Sequence, residues 1–146
     1  MKTDVKIDPK DLQKLSEKIQ SLKKYAGREL SNEIGKTAFG IERRAKRKVV
    51  KDKSGLVQSI KSTHSGKKAF VEAGKKYAPY VEFGTGEKVD LTDMQKLGIP
   101  DSYALQFKGK GIKEINLPAR PFLFPSARIE FLNLLKRIQE RFKEII

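Results

Sequence analysis

An α+β fold is predicted from three observations. A long series of apolar residues keeps helical spacing up to about residue 50, β-branched and aromatic residues alternate with polar ones in the middle, and a second helical stripe closes the chain. Helix, then a run of short strands, then helix is not the strict strand and helix alternation of a parallel α/β sheet. With 146 residues, 38% of them hydrophobic, the chain has material for one core. A single domain over 1–146 is therefore expected, with a helical region 1–50, a sheet with an insertion 55–118 and a C-terminal helix 121–146.

The first helix starts at Asp8-Pro9, where Asp8 can cap and Pro9 suits a first turn that needs no backbone donor. Leu12, Leu15, Ile19, Leu22 and Ala26 follow at steps of three and four, a narrow stripe. Beyond Gly27 the series runs through Leu30, Ile34, Ala38, Ile41, Ala45 and Val49, mostly at fours, so the apolar face slowly rotates. Gly27 is expected to kink or divide this long amphipathic helix, because glycine costs roughly 1 kcal/mol in a helix interior. Unbroken, about forty residues would make a rod of roughly 60 Å, longer than a domain of this size is wide. Part of it would overhang the core and need a partner, a first indication of self-association.

Lys51-Asp52-Lys53-Ser54-Gly55 ends the helical region. Leu56 to Ser62 and Lys68 to Ala73 read as a strand pair around the Ser65-Gly66 turn, so the sheet is small and mainly antiparallel. Tyr77 to Phe83 fits either a third strand at an edge or a single helical turn starting at Pro79, since proline cannot donate to a ladder. Leu91, Met94 and Leu97, closed by Gly98 and Pro100, mark a short helix. Tyr103 to Phe107 and Ile112 to Leu117, joined across Lys108-Gly109-Lys110-Gly111, read as an inserted hairpin with a basic tip. The terminal amphipathic helix starts near Pro125 and carries Phe131, Leu135, Ile138, Phe142 and Ile145 at steps of three or four, with Leu132 and Leu134 widening its stripe for packing on a sheet.

Composition narrows the function classes. Lys and Arg outnumber Asp and Glu by 32 to 18, a formal net charge of +14 that attracts polyanions. The absence of cysteine excludes disulfides, thiolate metal sites and thiol chemistry. No apolar run suits a signal peptide or a membrane span, so a soluble protein made in the cytoplasm is expected, with no membrane partner. His64, the single histidine, sits among Ser62, Thr63 and Ser65 and reads as a solvated turn residue; one histidine makes no metal site. Glu72 and Glu82 read as solvent-facing strand residues, and Gly84-Thr85-Gly86 and Gly109-Lys110-Gly111 lack the lysine and hydroxyl residue of a phosphate loop. No catalytic residue, metal or cofactor is assigned.

The basic cluster Arg43, Arg44, Lys46, Arg47, Lys48, Lys51 and Lys53 is opposed only by Glu42 and Asp52, denser than a typical solvated helix face. At a helix C-terminus it complements the dipole. Functionally it suits salt-sensitive, sequence-indifferent contact with phosphates, and Arg43, Arg44, Lys46, Arg47 and Lys48 are the DNA-facing candidates. No aromatic is interleaved for stacking on single strands.

Two segments look built for contact rather than chemistry. Tyr77-Ala78-Pro79-Tyr80-Val81-Glu82-Phe83-Gly84-Thr85-Gly86 is answered by Pro118-Ala119-Arg120-Pro121-Phe122-Leu123, stiff corners rich in aromatics and proline. Arg120 is expected either to anchor a core turn or to grip Glu82 with its guanidinium fork. Tyr77, Tyr80, Glu82, Phe83, Gly84, Arg120, Pro121 and Phe122 are the candidates for shaping a subunit interface.

Together with Ser54-Gly55-Leu56-Val57-Gln58-Ser59-Ile60, Pro125 and Ala127, these segments resemble the tail-completion, or head–tail joining, proteins of long-tailed phages, whose prototype is gene product ten of a lambdoid phage. The resemblance runs from about Ile34 to the end of the chain. It departs where the family usually has a Pro-x-Asp-Thr-Gly turn, of which Gly55 is kept and Ser54 stands for threonine. The resemblance implies a virion structural protein of the neck or connector, forming a homo-oligomeric ring with other neck, connector and tail proteins as partners, double-stranded DNA in the lumen, and no catalytic residues. The rival from composition alone is a free nucleic-acid-binding protein without sequence specificity.

Overall fold

The computed structural model describes residues 6–49, 54–85, 92–105 and 118–146. The fold is α+β, as expected. Helix α1 (Pro9–Lys24) and helix α2 (Leu30–Lys48) are joined by one π-helical turn, Tyr25–Glu29, in which Gly27 leaves helical geometry at φ −85° and ψ −112°. The kink expected at Gly27 is thus present, and a π-type turn is one of the recognised ways to bend a helix. Asp8 caps α1, accepting from the Lys10 N–H at 2.8 Å, with Pro9 in the first turn.

A short helix α3 (Ser54–Ser59) leads into strand β1 (Ile60–Ser65), which pairs antiparallel with β2 (Lys68–Ala73) in the register Ile60 opposite Ala73 through Ser65 opposite Lys68. Gly66 turns the hairpin at φ 58°, the left-handed region that glycine enters freely. The strand expected from Leu56 is corrected here: residues 54–59 are helical. Leu56 and Ile60 are both fully buried, and a spacing of four serves a helical face as well as it serves alternation, so periodicity could not separate the two.

Helix α4 (Ala78–Phe83) resolves the Tyr77 to Phe83 segment as a helical turn, not an edge strand. Helix α5 (Thr92–Lys96), followed by Gly98 at φ 72°, is the expected short helix with its glycine stop. Helix α6 (Asp101–Leu105) takes the place of the strand expected from Tyr103; the rest of that predicted hairpin lies outside the described residues. Helix α7 (Phe124–Ile145) closes the chain.

The core is small. Ala45, Val49, Leu56, Ile60, Ala78 and Phe122 form its centre, where α2, α3, β1, α4 and the segment before α7 meet. A satellite of Phe83 and Met94, with Ile99 and Phe124 against it, sits beside it. Helices α2 and α7 run antiparallel, so that Glu29 reaches Arg141, Glu33 reaches Arg137 and Arg44 reaches Glu130.

Candidate assembly surface and basic helix end

The two signature segments do meet. Pro79 stands in the first turn of α4, Gly84 at φ 76° ends it with its N–H on the Tyr80 carbonyl at 3.0 Å, and the Arg120 N–H donates to the Val81 carbonyl at 2.8 Å. The joint is made by Glu82. Its Oε2 accepts the N–H groups of Phe122 at 2.7 Å and Leu123 at 2.9 Å, and its Oε1 accepts that of Phe124 at 2.9 Å. These are the orphan donors at the start of α7, whose own cap residue, Leu123, makes no side-chain cap bond. A carboxylate from a distant helix thereby acts as the N-cap, where negative charge also suits the helix dipole.

Glu82 is 4% exposed, which corrects the expectation of a solvent-facing strand glutamate. The corner is rigid because backbone donors, which no side-chain pairing rule would single out, converge on one buried carboxylate. An aromatic group supports it: Phe83 packs on Phe124 with centroids 5.5 Å apart, and Tyr103 meets each of them edge-on at 6.4 Å. Tyr103 was not singled out as a partner of the corner from sequence, since aromatics 20 and 21 positions apart carry no local sign of meeting.

The eight interface candidates divide by depth. Glu82, Phe83, Gly84 and Phe122 are buried and build the corner from within, while Tyr80 and Pro121 are half-buried and Tyr77 and Arg120 are exposed. Only the last four present atoms at the surface.

The five DNA-facing candidates divide as well. Arg44 pairs with Glu130 of α7, and Lys46 pairs with Glu42 at 2.5 Å. Arg43, Arg47 and Lys48 are exposed on the last turns of α2, where cations complement the helix end. Lys51 and Lys53 lie outside the described residues.

Glu42 has a second task. Its other oxygen accepts the Ser62 N–H at 2.8 Å and the Ser62 hydroxyl at 2.5 Å, pinning β1 to α2. Lys46 first, then Ser62, hold its carboxyl below the usual range. For Glu33, burial works upward, but the Arg137 hydrogen bond and charge, with Lys36, prevail and its carboxyl is also lowered. Burial pushes the Tyr25 phenol up, with Glu33 and Glu29 adding to it against Arg141 and Arg137.

His64 is exposed, as a solvated residue should be, but it lies in β1 rather than in the turn and is hydrogen-bonded. Its Nε2 lies 2.8 Å from the Gly66 carbonyl and 3.2 Å from the Ser31 hydroxyl, and the Ser31 hydroxyl also reaches that carbonyl. The imidazole lies so close to Gly35 of α2 that a Cβ there would meet it at 2.7 Å. Among the described residues no group of three or more His, Asp or Glu is placed to hold a metal, and no helix is long and apolar enough to cross a membrane.

Residues 10–84 match the profile of the HK97-gp10-like family, described as a bacteriophage tail component. The match takes in α1, which the motif resemblance left out, and ends at Gly84, before the Arg120 segment. No curated protein and no solved structure matches the chain.

Proposed function

Because this chain belongs to the HK97-gp10-like family of bacteriophage tail components, we propose that it is a non-enzymatic part of the virion, in the neck or connector where head and tail join. Copies assemble in the host cytoplasm into a ring around the DNA path, in contact with other neck and tail proteins. The single observation that carries this reading beyond the family is the division of labour in the corner. Glu82 and Phe122 spend their whole capacity on rigidity, and Tyr77, Tyr80, Pro121 and Arg120 are held at the surface with fixed geometry and no chemistry to perform. Rings close by heterologous contacts, one surface of a subunit meeting a different surface of the next, and such contacts need stiff edges.

The exposed Arg43, Arg47 and Lys48 supply the lumen's phosphate contacts in this reading. They also keep the rival in view, a free nucleic-acid-binding protein in which the charge is the whole function. The test is a phage lacking this gene, complemented with wild type or with Arg43→Glu combined with Arg47→Glu. Expected are wild-type protein inside particles, and a variant that assembles and enters particles yet lowers joining or DNA retention. Unchanged joining removes the DNA-facing role. A purified chain that stays monomeric and binds duplex with a steep salt slope, and is absent from particles, favours the rival.

A further inference from the structure

Two apolar surfaces of this chain face solvent at different places on the molecule. One is the stripe of α1, a helix of 16 residues with none buried. Leu12, Leu15 and Ile19 are 51%, 54% and 44% exposed. The other is an open groove of about 750 Å³ where α2, β2 and α7 meet, lined by Ile34, Ile41, Phe70, Val71, Phe131 and Leu134 among others. Phe70 is 68% exposed on its rim. The groove is mostly apolar, and the polar side chains among its lining are Thr37, Lys67, Lys68 and Tyr103.

These surfaces do not meet within one chain. Helix α1 leaves the body where Tyr25 packs edge-on against Phe142, near the end of α7. The groove begins further along, at Ile34 of α2 opposite Leu134 of α7, and extends to Ile41 and Phe124. Reaching it would require α1 to fold back along α2, but the break at Gly27 is a kink within a π-helical turn, with helical flanks at Lys24 and Leu30.

We propose that the groove between α2, β2 and α7 receives the α1 stripe of a second copy of this chain. The inference rests on the reading of the chain as an assembling subunit and names the contact that would join its copies. An amphipathic helix laid in an apolar groove is a recurrent recognition mode, anchored by residues at the three-and-four spacing that Leu12, Leu15 and Ile19 have. A helix about 24 Å long and about 10 Å across, half sunk, covers about 380 Å², nearly half of the roughly 800 Å² per partner of a specific interface. Phe70, exposed on the rim of the groove, enlarges it. The contact is heterologous, so it repeats from copy to copy.

Charge gives the contact a signature. Lys18 and Lys23, which flank the α1 stripe together with Asp11, would approach Lys67 and Lys68 at the groove. Like charges at the rim of an apolar contact are relieved by salt, so added salt should strengthen this association. Association bridged by DNA would weaken instead.

The experiment is sedimentation velocity on the full chain free of nucleic acid, at rising concentration and at low and high salt. Wild type is expected to form oligomers that salt strengthens. Leu15→Asp and Phe131→Asp should each weaken association about tenfold or more, by placing an unpaired charge in apolar contact, with wild-type circular dichroism. Phe70→Asp serves as the groove variant if Phe131→Asp disturbs folding. Mixed together, the α1 variant and the groove variant should form a one-to-one pair that neither forms alone, since the mixture holds one intact groove and one intact stripe. A Leu15→Asp chain that assembles like wild type, or a mixture that stays monomeric, overturns the α1 contact. If such chains still enter particles, the tail-component reading stands. A wild-type chain that stays monomeric and is missing from particles overturns both.

Discussion

Helices α1 and α2 carry similar apolar stripes on one nearly continuous run of sequence, yet they have opposite fates. Beyond the Gly27 kink, α2 is covered by the hairpin on one side and α7 on the other, and Thr37, Ala38, Gly40, Ile41 and Ala45 are buried. Before it, α1 buries nothing. The difference lies in what surrounds them. Helix α2 has small residues where neighbours arrive, Gly35 under the His64 ring and Gly40 under the Glu130 carboxylate, where a Cβ would stand 2.7 Å from either. It also has a carboxylate for each neighbour, Glu42 for β1 and Glu33 for α7. Helix α1 has its stripe and two carboxylates, Asp11 and Glu17, which answer Lys14 and Gln13 of α1 itself. Amphipathicity shows that a helix wants a cover; it does not say whether the same chain supplies one.

The contrast can be broken most strongly at Phe122, 1% exposed at the centre of the core. Phe122→Ala is expected to lower the body's stability by about 4 kcal/mol, read by urea unfolding. Next is Glu82→Ala, which strands the buried N–H groups of Phe122, Leu123 and Phe124. A loss of about 3 kcal/mol is expected, with fraying of the start of α7 visible in amide exchange. An unchanged midpoint would mean that Glu82 is not the cap that holds the corner.

Gly40→Ala sharpens the comparison differently. In a free helix it would gain up to about 1 kcal/mol, but here the new methyl collides with Glu130 and should displace it from Arg44. A net loss of about 1–2 kcal/mol is expected, whereas a rise in melting temperature would show that α7 can move aside at no cost.

Acid should act on the body through Glu33 and Glu42. Both have folded pKa values below the ordinary 4.5. Their contribution is therefore full above about pH 4.5 and is lost as pH falls through that value toward the folded pKa. Melting temperature should drop over that window, and the gap between wild type and the Glu33→Gln, Glu42→Gln double variant should shrink as it does. A gap that stays constant would assign the acid loss to other carboxylates.

The smallest effect belongs to the arm. Leu15→Ala should leave monomer stability within about 0.5 kcal/mol, as for an exposed site without partners. A larger loss in dilute monomer would show that α1 is covered by its own chain.

The sequence by itself determined the local contrasts: the starts of α1 and α7, the glycine stop of α5, the break at Gly27, the Gly66 turn and the dense basic end of α2. Each of these depends on residues within a few positions of one another, where dihedral limits and the alternation of apolar and polar side chains operate. Tertiary structure alone decided that Ser54–Ser59 is a helix, that Glu82 points inward to cap α7, and that Arg44 pairs with Glu130. It also decided that His64 leans on Gly35. Those outcomes depend on how elements dock, and docking brings together residues 29 to 86 positions apart in the chain, beyond the reach of any periodicity in the sequence.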